Sequence, residues 1–204
     1  MLITFEGPEG AGKTTIIRMV ADRLTLRGHE VVVTREPGHG DFGAKVREIL
    51  LSGEAIEPIA ELFLFLADRA QHVVTCIRPA LDRGAVVLCD RYADSTVVYQ
   101  GYGRGLDLEW LREMNEVATS GLVPDMSLLL DLDPAVGLRR IQNPDRLDKE
   151  SIEFHQRVRR GFLAEAERQP ARWVVLSCDR PAGLVIGDAM QAIFSRLPEP
   201  ASGG

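Results

Sequence analysis

The segment Gly7-Pro8-Glu9-Gly10-Ala11-Gly12-Lys13-Thr14 constrains this chain more than any other. It satisfies the spacing GxxxxGK(S/T) and sits between the apolar run Leu2 to Phe5 and the helically spaced residues Ile16, Val20 and Leu24. That succession of strand, loop and helix gives the pattern its physical meaning. Glycines let backbone amides turn inward around a phosphate, the helix N-terminus adds partial positive charge, and Lys13 supplies a mobile ammonium to terminal phosphates. Thr14 is expected to coordinate Mg²⁺ through its hydroxyl. A glycine-rich turn with no ligand is the plainer reading, and the flanking strand and helix argue against it.

Short apolar runs then alternate with segments of helical period. Leu2 to Phe5, Glu30 to Thr34, Ala85 to Cys89, Met126 to Leu130 and Trp173 to Leu176 read as strands, with helical spacing at Val46, Ile49 and Leu50 and at Leu62, Leu66 and Val73. Strands apolar throughout are expected to be buried on both faces. The expected architecture is therefore an α/β, P-loop NTPase fold: a five-stranded parallel sheet flanked by helices on both faces. Arg27-Gly28 reads as a helix stop and Asp133-Pro134 as a capped helix start.

At 204 residues and 45% apolar composition the chain has material for one core, read as a single domain over residues 1–197 with a lid around 139–150. The Pro-, Ser- and Gly-rich tail at 198–204 is expected to fray. A net charge of -6 lacks the basic excess of a nucleic-acid binder. Cys76, Cys89 and Cys178 are odd in number and widely spaced, which suggests neither a disulfide framework nor a zinc site and fits a reducing compartment. No apolar run nears the roughly 18 residues of a membrane span, and Glu6 and Gly7 interrupt the first one. A soluble, cytoplasmic protein without membrane or nucleic-acid partners is expected.

Asp90-Arg91-Tyr92 follow the third apolar run and should emerge at the carboxyl edge of the sheet beside the phosphate loop. There Asp90 can hold Mg²⁺ through water and Arg91 can neutralise charge on acceptor and transferred phosphates. A surface ion pair is the bland alternative. Asp131 closes another apolar run and reads equally as a second acidic ligand or as a helix cap. Phe65 and Arg69 are four apart, so an aromatic plate and a planar donor share a helix face that could hold a base. A core role for Phe65 and a local ion pair for Arg69 are the competing readings. Arg139, Arg140, Arg146, Arg157, Arg159 and Arg160, interrupted by Asn143-Pro144, resemble a basic flap able to close over a nucleotide. A solvated helical face balanced by Glu150, Glu153 and Glu165 accounts for most of these arginines.

From Leu2 to about Ile193 the chain resembles the bacterial thymidylate kinases. Four segments carry the resemblance: Phe5 to Thr15, Thr34-Arg35-Glu36-Pro37-Gly38, Leu64 to His72, and Asp90 to Gly101. It implies Mg²⁺-dependent transfer of phosphate from ATP to dTMP by a homodimer. Gly7, Pro8, Glu9, Gly10, Ala11, Gly12, Lys13, Thr14 and Thr15 are then the ATP-binding set, Thr14 and Asp90 the metal-facing pair, and Lys13, Asp90, Arg91 and Arg146 the catalytic set. Arg139 or Arg140 is next in line after Arg146 as the lid arginine. The dTMP set is Glu9, Glu36, Arg47, Phe65, Arg69, Arg91, Ser95, Thr96, Tyr99 and Gln100. Within it Phe65 stacks on thymine, Arg69 donates to a thymine carbonyl, Thr96 touches the base edge and Tyr99 lies under the sugar. Arg47 and Arg91 bind the acceptor phosphate, and Glu9, awkward in a phosphate loop, approaches the 3'-hydroxyl. Gly38-His39 stands where the family usually has two glycines, and Ile141 to Pro144 replace part of an arginine-rich lid.

Two other classes share the phosphate loop. A kinase for a different nucleoside or nucleotide would differ only in its acceptor pocket. A nucleotide-dependent switch would transfer no phosphate to a small molecule, and the chain has no NKxD guanine-reading motif.

Overall fold

The computed structural model describes residues 1–52 and 55–197, so the expected tail at 198–204 lies outside the described residues. Five strands, β1 (Leu2–Glu6), β2 (Val31–Arg35), β3 (Val86–Asp90), β4 (Met126–Asp131) and β5 (Trp173–Ser177), form one parallel sheet in the order β2-β3-β1-β4-β5. They fall on the five apolar runs, and each ladder reaches one residue further toward its carboxyl end than the run it continues. Those added residues are Glu6, Arg35, Asp90, Asp131 and Ser177, so every strand ends on a polar side chain at the same edge. Because β1 lies between β3 and β4, the connections switch from one side of β1 to the other there, and a crevice opens at the carboxyl edge.

Alternation along the strands divides the core. Ile3, Phe5, Leu88, Leu128 and Leu130 face α1 (Lys13–Leu26) and α9 (Ala182–Phe194), packing against Ile16, Val20, Leu24, Ile186 and Ile193. On the opposite face Leu2, Val87 and Cys89 pack on Val73, Ile77 and Ala80, from the wide-turn segment Val73–Ile77 that continues α3 (Pro58–His72) into α4 (Arg78–Asp82). Leu129 and Trp173 on that face pack on Val98 and Tyr99 of a second wide-turn segment, Val97–Gly103, and on Phe154, Val158 and Phe162 of α8 (Ile152–Arg168). Before the second segment comes the short α5 (Ala93–Thr96); α2 (Gly40–Leu51) and α6 (Leu108–Thr119) pack outside α3.

Local signals act where expected. Gly28, at φ 87, ends α1 in the left-handed conformation its missing Cβ permits, with the His29 amide donating back to Leu24 O at 3.2 Å. Asp133 Oδ1 accepts from the Ala135 amide at 2.7 Å and Pro134 opens α7 (Pro134–Leu138). The expected lid follows as turns between α7 and α8, and Arg146 within it donates to Leu50 O at 2.9 Å and pairs with Glu61 of α3.

The phosphate loop and α7 touch backbone to backbone. A Cβ on Gly10 would overlap the carbonyl of Gly137, and a Cβ on Gly137 would overlap the carbonyl of Glu9. Alanine is favoured over glycine inside helices by about 1 kcal/mol, yet Gly137→Ala is expected to destabilise the protein and weaken ATP binding. Urea unfolding and an ATP titration check this; a variant at least as stable as the parent, with unchanged ATP affinity, would show that the contact has slack.

Candidate active site

The phosphate loop leaves the end of β1 and Asp90-Arg91 leave the end of β3, so one cleft of about 320 Å³ receives both. Lys13 lies almost buried beneath the loop, its Nζ donating to the carbonyls of Gly7 at 3.0 Å and Pro8 at 2.9 Å. Burial, and then the Arg91 charge, pull its pKa down to about 8, so the ammonium is held close to its release point. Ala11 is buried in the core, whereas Gly12 and Thr15 are exposed on the loop and helix start. At the rim, the Thr14 hydroxyl donates to Asp90 Oδ2 at 3.0 Å, and both residues line the cleft. A hydroxyl and a carboxylate oxygen in contact at an open rim are hard donors, which suits a Mg²⁺ ion that keeps most of its waters.

Arg91 adopts φ 68, unusual for a residue with a side chain, and its amide donates to Phe5 O at 3.0 Å. The turn aims the guanidinium back at the loop, where it donates to Gly7 O at 3.1 Å and to Glu9 Oε1 at 2.9 Å. Tyr99 donates its hydroxyl to the same Glu9 oxygen, and Arg91 stacks 4.9 Å from the Tyr99 ring centre. Burial alone would raise the Glu9 carboxyl; Arg91, with His155 Nδ1 3.4 Å from the other oxygen, outweighs it and lowers Glu9 to about 2. The bland reading of Asp90 and Arg91 as a surface ion pair fails, because each is bound by the phosphate loop or the helix after it.

Phe65 is half-buried and lines the cleft rather than the core. Arg69 forms no local pair. It is 2% exposed and reaches across to β2, donating Nε to Glu36 Oε2 at 2.8 Å. Its Nη1 donates to Thr96 Oγ1 at 2.8 Å and to Asn115 Oδ1 at 2.7 Å, and Nη2 to Tyr92 O at 3.0 Å. A guanidinium has five N–H groups; four are engaged, and Arg69 also borders the cleft. Glu36, Arg47, Ser95, Thr96, Tyr99 and Gln100 line the same space, Arg47 donating to Pro37 O at 3.1 Å and Gln100 to Glu61 Oε1 at 3.0 Å.

Three expectations need correction. Arg146 does not line the cleft; its guanidinium is taken up by Glu61, which is wholly buried and paired also with Arg104. Arg140 is the lid arginine that meets the phosphate loop, its Nη1 3.3 Å from Gly10 O. Asp131 is neither a ligand nor a cap, since Arg159 engages both of its oxygens at 2.7 and 2.8 Å. Two of the three glutamates expected to balance the flap bind other arginines: Glu150 pairs with Arg104, and Glu165 with Arg112 and Arg168.

Residues with no sequence signal also enter the site. Asp145 and Asp148 line the cleft from the lid, Asp145 Oδ1 accepting the amides of Leu147 and Asp148; the preceding Pro144 is the only local hint of that turn. Arg35 borders the cleft from a segment already singled out, and His155 lies fully buried on α8 beside Glu9. Glu6 sits beneath the loop, accepting the Tyr92 amide at 2.9 Å and the Ser95 hydroxyl.

A phosphate loop on this parallel sheet, with a hydroxyl and carboxylate at its rim and a cleft that continues past Arg91 to Phe65 and Arg69, defines a P-loop phosphotransferase of the nucleoside monophosphate kinase class. The family model "Thymidylate kinase" matches residues 5–187. A thymidylate kinase of Nitratidesulfovibrio vulgaris is 52% identical, the match covering 98% of this chain and 99% of that protein. One from Thermomicrobium roseum is also 52% identical, over 96% of this chain and 94% of the relative. The crystal structure of thymidylate kinase from Ehrlichia chaffeensis superposes with a TM-score of 0.82 at 32% identity, covering 95% of this chain and 98% of that one. The chain belongs to the thymidylate kinase family.

Glu6 offers a test of how this charged floor is built. Burial first, and the neighbouring Asp94 second, raise its carboxyl from 4.5 to about 8. The folded protein thus keeps a proton that the unfolded chain releases near pH 4.5, so this group's contribution falls as pH rises from 4.5 toward 8. Urea unfolding across that window is expected to show stability declining with pH in the parent and a flatter profile in Glu6→Gln. Parallel profiles would mean that Glu6 is already ionised in the folded state.

Proposed function

We propose that the chain transfers the γ-phosphate of Mg-ATP to dTMP, giving dTDP and ADP on the route to dTTP. The observation that carries this reading is that Arg69, a guanidinium with four of its five N–H groups engaged, lines the same cleft as the Phe65 ring. An aromatic face and a single fixed donor suit a pyrimidine with a carbonyl at its edge. The Thr96 hydroxyl, bound to Arg69, is in reach of that edge, and the Tyr99 ring closes the floor where a sugar lacking a 2'-hydroxyl fits best.

In this reading, Lys13 leaves the Gly7 and Pro8 carbonyls to meet the terminal phosphates of ATP, with the loop amides of Gly7 to Thr15 around them. Mg²⁺, held by Thr14 and by Asp90 through water, would neutralise charge on the phosphate oxygens. Arg91 and Arg47 bind the acceptor phosphate, and Arg91 offsets charge that develops as the phosphoryl group moves. Glu9, kept ionised, orients Arg91 and accepts from the 3'-hydroxyl. Asp145 and Asp148 keep the lid turn in shape, and we assign the lid contact with phosphate to Arg140, while Arg146 latches the lid to Glu61.

The protein acts in the cytoplasm as a homodimer. Supporting this, no helix among the described residues is long and apolar enough to cross a membrane, and all three cysteines are free. Neighbouring helices α2 and α3 expose Phe42, Ile49, Ile59 and Phe63, a surface that a second copy would cover.

Steady-state assays with ATP and dTMP, dUMP, CMP, AMP or thymidine are expected to give dTMP the highest specificity constant; a better acceptor among the others would overturn the assignment. Arg91→Ala is expected to lower kcat by about 100-fold or more, and near-normal turnover would remove Arg91 from the chemistry. Phe65→Ala should raise KM for dTMP by about tenfold, the scale of losing a base stack, with kcat little changed. If only thermal stability fell, Phe65 would be a packing residue.

A further inference from the structure

Outside the cleft, on the edge strand β2, three side chains with soft or borderline donor atoms meet. His39, His72 and Cys76 each present one ligand atom, and these atoms lie within 4.8 Å of one another. The Thr34 hydroxyl bridges the two imidazoles, 3.1 Å from His39 Nδ1 and 2.7 Å from His72 Nε2. The two imidazoles stack with centroids 4.8 Å apart. His72 and Cys76 are four apart at the junction of α3 with the wide-turn segment Val73–Ile77, which puts them on one helix face over β2. His39 comes from the turn before α2, where a glycine would bring no ligand. None of the three lines the substrate cleft.

The proton positions can be worked out from the acceptors. Glu36 is bound by Arg69 through one oxygen and meets His72 Nδ1 at 2.8 Å through the other. A carboxylate only accepts, so His72 donates from Nδ1, and in the neutral ring Nε2 keeps its lone pair toward Thr34. That is the arrangement by which a carboxylate behind a metal-binding histidine orients the ring and raises its basicity. His39 and Cys76 are only partly buried, so an ion has a path from solvent; the alternative thiol near His72, Cys89, is sealed in the core.

We propose that His39 Nδ1, His72 Nε2 and Cys76 Sγ, with the Thr34 hydroxyl or a water as fourth donor, bind a divalent ion of the zinc class. Two imidazoles and a thiolate suit Zn²⁺ or Co²⁺ and are a poor set for Mg²⁺, which takes oxygen donors. Binding exchanges the Cys76 thiol proton for the metal, the proton leaving to solvent. On His39 the ring proton moves from Nδ1 to the outward Nε2. A bond of about 2.0–2.3 Å from each donor requires the three to close on one point. The bound ion fixes the His72 ring against Glu36, and Glu36 holds Arg69, so the site lies two contacts from the residue assigned to the base.

The test uses reduced, chelator-stripped full-length protein without nucleotide, in excess Mg²⁺ to block the phosphate-rim ligands, titrated with Co²⁺. One equivalent is expected to develop thiolate-to-cobalt charge-transfer absorption and the visible bands of tetrahedral cobalt, and Zn²⁺ should erase both. Cys76→Ser should abolish the charge-transfer band, and His39→Ala should weaken Co²⁺ binding by at least about tenfold, with turnover of dTMP in both variants near the parent's when Mg²⁺ is the only divalent ion present. No charge-transfer band, or a band that survives Cys76→Ser, would overturn the proposal. Loss of the band in Cys89→Ser but not in Cys76→Ser would do the same by assigning the metal to Glu36, His72 and Cys89 in the core.

Discussion

The buried ion pair between Arg69 and Glu36 is the contact around which the acceptor half of this protein is organised. Both side chains are 2% exposed, so each charge has lost its water. Such a pair is tolerable only when the remaining donors and acceptors are satisfied, and removing one partner typically costs about 3–5 kcal/mol. The chain meets that demand with groups from four separate elements: His72 from α3, Thr96 from α5, Asn115 from α6 and the Tyr92 carbonyl after β3. Because every one of them is needed, the positions of α3, α5 and α6 relative to β2 are specified together. The placement of Phe65 in the cleft follows from that specification, since it rides on the same helix as Arg69, one turn earlier.

A second charged network does the same for the phosphate half. Glu6 and Glu9 flank a loop meant for anions, which would be self-defeating without compensation. The two are handled in opposite ways. Glu6, wholly buried with Asp94 close by, is pushed toward the neutral acid, while Glu9 is kept ionised by Arg91 and spends its charge holding that guanidinium in place. Arg91 in turn occupies a left-handed backbone conformation that costs energy. Its amide bond to Phe5 O and its side-chain bonds to Gly7 and Glu9 offset that cost, so β1, the loop and β3 are coupled at one residue.

These networks explain why some of the structure was legible in the sequence and some was not. The five strands and the phosphate loop follow from periodicity and glycine spacing, both local properties, and they fall within a residue of where the apolar runs put them. Boundaries missed by one residue because a polar strand end, such as Asp90 or Asp131, has no apolar signal although its backbone stays in the ladder. Phe65 and Arg69 could be placed on one helix face, but the partner of Arg69 is 33 residues away, beyond any local pattern. The lid shows the same limit. A run of arginines indicated charge, not destination, and Glu61, Asp131 and Gly103 capture Arg146, Arg159 and Arg157 from distant elements.

The destination of Arg146 bears on how the two halves work together. Glu61 is wholly buried on α3, one helix turn before Phe65, and it gathers Gln100, Arg104 and Arg146. Gln100 belongs to the segment that carries Tyr99, and Arg146 belongs to the lid. One carboxylate therefore ties the lid to the helix that bears Phe65 and Arg69 and to the segment that bears Tyr99. Lid residues Ile141, Asp145, Leu147 and Asp148 line the same cleft as Phe65 and Tyr99, so the lid meets that side both through Glu61 and directly. Meanwhile Arg140, exposed and bound only to Gly10 O, is free to change partner when the loop takes up phosphate. Rigid charge at Arg91 and adjustable charge at Arg140 thus divide the work. The first is fixed at the sheet edge by Phe5 O, Gly7 O and Glu9, and the second is carried by an exposed side chain of the lid that touches the phosphate loop.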